Sequence, residues 1–130
     1  MPTGSKRVVV SPKAPKPIGP YSVGIVHGEL VFASGMLGLD PQTGELAPGG
    51  VEAETRQSLQ NVAAILEAAG SSMSLVLKTT VFLRDMADFA RMNAVYAEFF
   101  RDEPPARSTV QVAALPKGGA VEIEAVAALR

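Results

Sequence analysis

Residues 104–129 read PPARSTVQVAALPKGGAVEIEAVAAL, and the pattern of this stretch decides the fold class. Val121, Ile123, Ala125, Ala127 and Leu129 alternate with Glu122 and Glu124, so a strand here puts the five apolar side chains on one face and both glutamates on the other. Ser108 to Val112 is a second β-branched run, and Leu115-Pro-Lys-Gly-Gly119 is the turn between the two. Glu103-Pro-Pro-Ala106 closes whatever precedes it, because residues ahead of prolines are driven out of the helical region. A strand with one apolar face asks for a sheet covered on one side.

Moving outward, the covering elements are predicted on either side of a strand. Phe89, Met92, Tyr96, Phe99 and Phe100 form the inner face of a helix from Asp88, read as its N-cap, to about Arg101. LVLKTTVFL at 75–83 is short and β-branched, the composition of a strand in a covered sheet. Between Val51 and Ala69, Leu59, Val62, Leu66 and Ala69 recur at spacings of three and four, which predicts a helix that stops at Gly70. Ser22 to Val26 and Leu30 to Ser34 flank His27-Gly28-Glu29 as a hairpin would. Prolines 12, 15, 17 and 20 make Ser11 to Pro20 an extended connector that carries IGPY to a fixed place, Arg7 to Val10 is one more strand, and Met1 to Ser5 is read as a frayed end. The order β-β-β-α-β-α-β-β predicts an α+β fold, a mixed sheet of about six strands with two helices on one face, as a single domain over residues 1–130.

The composition narrows the chemistry. With no cysteine in 130 residues, disulfides, thiolate zinc sites and thiol nucleophiles are excluded. His27 is the only histidine, so a multi-histidine metal site is out and a Ser-His-Asp arrangement would have to run through that one residue. Neither a metal nor a cofactor is expected. The net charge of −1 and the mixing of acids with bases give no basic stripe for nucleic acid and no basic amphipathic face for a membrane. No apolar run approaches the roughly 20 residues that span a bilayer, and the start of the chain lacks the apolar core of a signal peptide, so a cytoplasmic protein is expected. The uncovered sheet face needs a partner, and a closed ring of identical subunits is the simplest one.

Three segments carry a family resemblance. IGPYS at 18–22, ASGMLG at 33–38 and above all PPARSTVQVAALPKGGAVEIEA at 104–125 are similar to recurring blocks of the RidA/YjgF family, and MNAVYAEFF at 92–100 resembles its second helix. The likeness covers nearly the whole chain. It implies a homotrimer of a chorismate-mutase-like α/β fold with clefts between neighbouring subunits. It also implies an activity: a hydrolase acting on C=N bonds, a 2-iminobutanoate/2-iminopropanoate deaminase that turns reactive enamine and imine intermediates released by pyridoxal enzymes into 2-keto acids and ammonia.

By itself Arg107 reads as a solvated arginine at the start of a strand, and Glu122 as an exposed carboxylate with Glu124 on the same face. The resemblance implies otherwise. Arg107 falls on the arginine that grips the substrate carboxylate, where a guanidinium offers two parallel N–H donors that lysine cannot copy. Glu122 falls on the glutamate that holds the attacking water. Tyr21 matches a tyrosine lining the cleft and Asn93 an asparagine near the arginine. Ser34 and Gly35 lie where backbone groups meet the ligand, although the pair alone reads as a strand end. Thr109, counted with the substrate-binding residues, stands where many members have cysteine, Met36 where many have glutamine, and Ala114 where an arginine is frequent. None of the three changes touches the carboxylate clamp. The expected ligand is therefore a small 2-imino or 2-keto acid. The alternative is a non-catalytic trimeric binding module for small carboxylates, for which Arg107 alone would suffice. Nucleic-acid cleavage, also attached to the family, gains no support from the acidic balance of the chain.

Overall fold

The alternating strand is the hub of the sheet. In the computed structural model, which describes residues 5–130, β1 (Lys6–Val9), β2 (Gly24–His27), β3 (Leu30–Leu37), β4 (Val76–Leu83), β5 (Ala106–Gln111) and β6 (Val121–Ala128) form one sheet in the order β1-β2-β3-β6-β4-β5. All pairs are antiparallel except β4 with β5. That parallel pair needs a crossover, and the helix α2 (Phe89–Phe99) supplies it. Helix α1 (Gly50–Ala69) packs on β2, β3 and β6 and against α2. The architecture is the α+β sheet with two helices that the periodicities predict.

Val121, Ile123, Ala125 and Ala127 of β6 are buried under α1 together with Leu59, Val62, Ile65 and Leu66. Gly70 ends α1 in the left-handed region, its N–H reaching the carbonyls of Leu66 and Glu67. On the other face, apolar side chains meet water: Phe32 is 43% exposed, Val110 44% and Leu77 51%. The strand read as covered, LVLKTTVFL, is thus covered by helices on one face only. Its first residue, Leu75, ends a 3₁₀ turn over Met73–Leu75 rather than opening the strand.

Several boundaries differ for identifiable reasons. The hairpin loop is Gly28-Glu29 alone, since His27 pairs with Leu30, and Gly28 takes the positive φ of 58° that a two-residue turn demands. Asp88 does not cap α2 through its side chain, which pairs with Arg91 instead. The capping carboxylate is that of Asp85, which accepts from Ala87 N at 2.9 Å and starts a 3₁₀ turn over Met86–Asp88. Helix α2 ends at Phe99, and β3 runs on past Ser34 to Leu37. Of the end read as frayed, residues 1–4 lie outside the described residues, while the Ser5 carbonyl lies 3.3 Å from Nδ1 of His27. Among the described residues no helix is long and apolar enough to cross a membrane.

Candidate active site

The site begins with an irregularity in β3. Ala33 pairs with Ala125 and Met36 with Ile123, so Ser34 and Gly35 together face the single residue Glu124 across the ladder. This is a β-bulge, which re-aims the side chains around it. The strand end expected at Ser34-Gly35 is therefore a kink inside a continuous strand. Glycine leaves room there for the glutamate, because a Cβ on Gly35 would come within 2.6 Å of Oε2 of Glu122 and would push that carboxylate aside. The glutamate carboxylate lies in the space that the missing side chain leaves. Ser34 is fixed as well: its Oγ donates to the Ser22 carbonyl at 2.6 Å and its N–H to the Val23 carbonyl at 2.9 Å.

The proline connector delivers Tyr21 to the same place. The hydroxyl of Tyr21 accepts from the N–H of Ile18 at 3.2 Å, which leaves its own proton to donate. Tyr21, Ser34, Gly35, Leu37, Glu122 and Glu124 line a cleft of about 410 Å³, together with Lys16 and Pro116. Burial holds the Glu122 carboxyl above the usual carboxylate range, and the like charge of Glu124 adds to the effect.

Helix α1 braces this cleft from behind with buried polar groups. Ser58 Oγ donates to the Met36 carbonyl at 2.6 Å, and Asn61 Nδ2 to those of Leu37 and Leu39 at 3.1 and 2.9 Å. The buried carboxylate of Glu54 accepts from Ala120 N at 2.8 Å, one residue before β6. Gly38 permits the approach, since a Cβ there would sit 2.5 Å from the Glu54 carbonyl oxygen. Both strands that flank the cleft are thus pinned to one helix.

Arg107 is elsewhere. It pairs with Thr79 of β4, whereas Glu122 pairs with Phe82, three residues along. An odd offset on a strand means opposite faces. The guanidinium of Arg107 lies on the helix side, its Cζ 4.7 Å from the ring centroid of Tyr96 and 5.5 Å from that of Phe89. With Asn93, Tyr96, Phe100, Pro104 and Pro105 it lines a second cleft of about 310 Å³. Thr109 shares the helix side by alternation, and its Oγ1, like Oδ1 of Asn93, is buried without a hydrogen-bond partner. The ion pairs among the described residues are Arg56 with Glu98 and Asp88 with Arg91, so Arg107 has no carboxylate of its own. One chain therefore separates the candidate residues into two groups, Tyr21, Ser34, Gly35 and Glu122 on one face and Asn93, Arg107 and Thr109 on the other. Among the described residues, no three histidine, aspartate or glutamate side chains converge as a metal site requires.

The family model described as endoribonuclease L-PSP matches residues 11–129. The chain belongs to the L-PSP family. This is the RidA/YjgF family that the three sequence blocks resemble. Within it, the 2-iminobutanoate/2-iminopropanoate deaminase of Capra hircus is 49% identical over 122 residues, covering 94% of this chain and 89% of that protein. The crystal structure of RidA from the Antarctic bacterium Psychrobacter superposes with a TM-score of 0.91 at 45% identity, covering 94% of this chain and 98% of the other. That of Escherichia coli TdcF with bound serine gives 0.90 at 46% identity, again over 94% and 98%. The six-stranded sheet with two helices is the fold of these L-PSP members.

Two parts of the geometry escape the sequence pattern. Phe89 and Tyr96, read as core, lie against the guanidinium of Arg107. Glu124, set aside as a neighbour on the Glu122 face, lines the same cleft. The spacing of Phe89, Asn93 and Tyr96, four and then three residues, is the signal that could have linked Phe89 and Tyr96 to the candidate Asn93.

Proposed function

We propose that this protein is a 2-iminobutanoate/2-iminopropanoate deaminase that works as a homotrimer, each site combining Arg107 of one copy with Glu122 of another. The observation that carries the reading is this separation into two groups. An arginine without a carboxylate partner and a glutamate that retains its proton unusually well lie on opposite faces of one sheet. Neither group alone joins an arginine clamp to a water-holding carboxylate, and the apolar open face gives copies of the chain a reason to associate. The deaminases among its relatives, about half identical in sequence, support the activity, and the serine-bound TdcF supports a ligand with an amino-acid carboxylate.

In this reading Arg107 binds the substrate carboxylate through two parallel N–H donors. The protonated imine is then electrophilic at C2 without further activation. Glu122, resting against Gly35, accepts a hydrogen bond from a water and takes its proton as the oxygen bonds to C2. The same proton passes to nitrogen; as the C–N bond breaks toward nitrogen, the hydroxyl gives up its remaining proton to Glu122 while the C=O bond forms, and ammonia leaves a 2-keto acid. The Tyr21 hydroxyl and backbone groups around Ser34 and Gly35 orient the adduct. Because imines hydrolyse readily in water, the barrier to be removed is small, and positioning supplies it.

The test couples a pyridoxal enzyme that releases 2-aminoacrylate or 2-aminocrotonate to keto-acid detection. Wild type is expected to speed keto-acid formation and Arg107→Ala to match buffer. If wild type also matches buffer, the carboxylate-binding module is the correct reading.

A further inference from the structure

The Arg107 guanidinium does not hang free in its cleft. Phe89, Asn93 and Tyr96 are spaced four and three residues apart and so share one face of α2. Two of them bring aromatic rings to the cation, at 4.7 Å for Tyr96 and 5.5 Å for Phe89, both inside the range of a cation–π contact. Between them in sequence, Asn93 carries a buried amide oxygen that lacks a donor.

The floor of this arrangement is itself fixed. The Tyr96 hydroxyl is hydrogen-bonded to Oγ1 of Thr79 at 2.7 Å, and its ring packs on Phe100 with centroids 4.7 Å apart. Thr79 is the residue of β4 that pairs with Arg107. Backbone and guanidinium are thus tied to the same point by two routes.

We infer that this face of α2 is a tray that positions Arg107, holding the guanidinium by its rings and keeping its N–H edge for the carboxylate of a 2-imino or 2-keto acid. Phe89 and Tyr96 are positioning residues, since neither carries the charge that the ligand needs. A free arginine loses several rotatable bonds when it closes on a carboxylate, and one already lying against two rings loses fewer. A tray of this kind acts on binding. It leaves the water-adding half of the site, on the other face, untouched.

The inference rests on the proposed carboxylate role of Arg107, so its test reads binding apart from turnover. Titration calorimetry with 2-oxobutanoate, the keto-acid product, is run beside the coupled assay on wild type, Arg107→Ala, Tyr96→Leu, Tyr96→Phe and Phe89→Leu. Tyr96→Leu and Phe89→Leu are expected to weaken binding and raise KM by about tenfold each, with kcat within about twofold. Tyr96→Phe keeps the ring and brings both constants back to within about twofold of wild type. Phe89 is only partly buried, so its variant serves where Tyr96→Leu unfolds. Wild-type binding in both leucine variants overturns the tray. So does a Tyr96→Phe as weak as Tyr96→Leu, which assigns the effect to the Tyr96 hydroxyl, through Thr79 or Arg107, and not to the ring. If wild type binds 2-oxobutanoate without turning over imines, the deaminase reading falls and the binding series still decides the tray. If wild type neither binds 2-oxobutanoate nor turns over imines, both fall; if it turns over imines without binding 2-oxobutanoate, KM in the coupled assay decides the tray.

Discussion

Glu122 shows how far one residue can be read. Alternation along 121–129 puts it on the face away from the helices, and the structure has it there. What alternation could not show is its surroundings, because the bulge at Ser34-Gly35 depends on how β3 registers against β6. The glycine was read as a close-approach position, and the group that approaches is the Glu122 carboxylate itself. Burial first, and the like charge of Glu124 second, raise its proton affinity. The groups facing it are Glu124 on its own strand and Tyr21 and Lys16 from the connector. If Glu122 serves as the base, the acid limb of the kcat/KM profile lies above the ordinary carboxylate range, and Glu124→Gln moves it down. Stability carries the same sign: a carboxyl raised on folding adds stability below its unfolded pKa, and that share is lost as pH rises through the folded value. Glu122→Gln should therefore flatten the fall in denaturation midpoint across that window. A profile whose acid limb is the same in wild type and Glu124→Gln would remove Glu124 from the proposed chemistry.

At the scale of elements, α1 was legible by its apolar stripe and illegible by its polar one. Leu59, Val62, Leu66 and Ala69 mark the buried face by their spacing, and all four are buried. Thr55, Ser58 and Asn61 are equally buried, but nothing in a helical period says which carbonyls a polar side chain will meet. Those of Met36 and Leu37 lie past the bulge in the last residues of β3 and that of Leu39 lies beyond the strand, and all three take their donors from α1. The three buried polar residues are not equivalent. Asn61 satisfies two carbonyls, whereas Oγ1 of Thr55 has no partner. Substitutions on one helix should thus have opposite signs. Asn61→Ala strands both acceptors and should cost about 2–3 kcal/mol, while Thr55→Val removes an unpaired hydroxyl and should gain about 1 kcal/mol. Urea denaturation at one fixed protein concentration measures both, and a Thr55→Val that destabilises would mean the hydroxyl finds a partner in solution.

The order of elements and the one-sided sheet were readable because each periodicity reports its own neighbours. The division of the site was not, because it depends on which face each strand turns toward the helices. Arg107 and Glu122 are the second residues of β5 and β6, with β4 between the two strands. Only the register on Thr79 and Phe82 shows that they point apart. That separation makes the proposed trimer testable by mixing. Arg107→Ala and Glu122→Gln should each be inactive alone. If every site takes its arginine from one copy and its glutamate from the next, co-refolding the two in equal amounts leaves roughly a quarter of the sites with both wild-type groups. Activity should then rise from background to roughly a quarter of the wild-type value, as the chance that each of two neighbours is the right variant. A site contained within one chain cannot be repaired in this way, since every chain in the mixture carries one defect. Mixed samples that run as trimers yet stay at background would mean that no site joins the arginine of one copy to the glutamate of another, and the shared site would have to be given up.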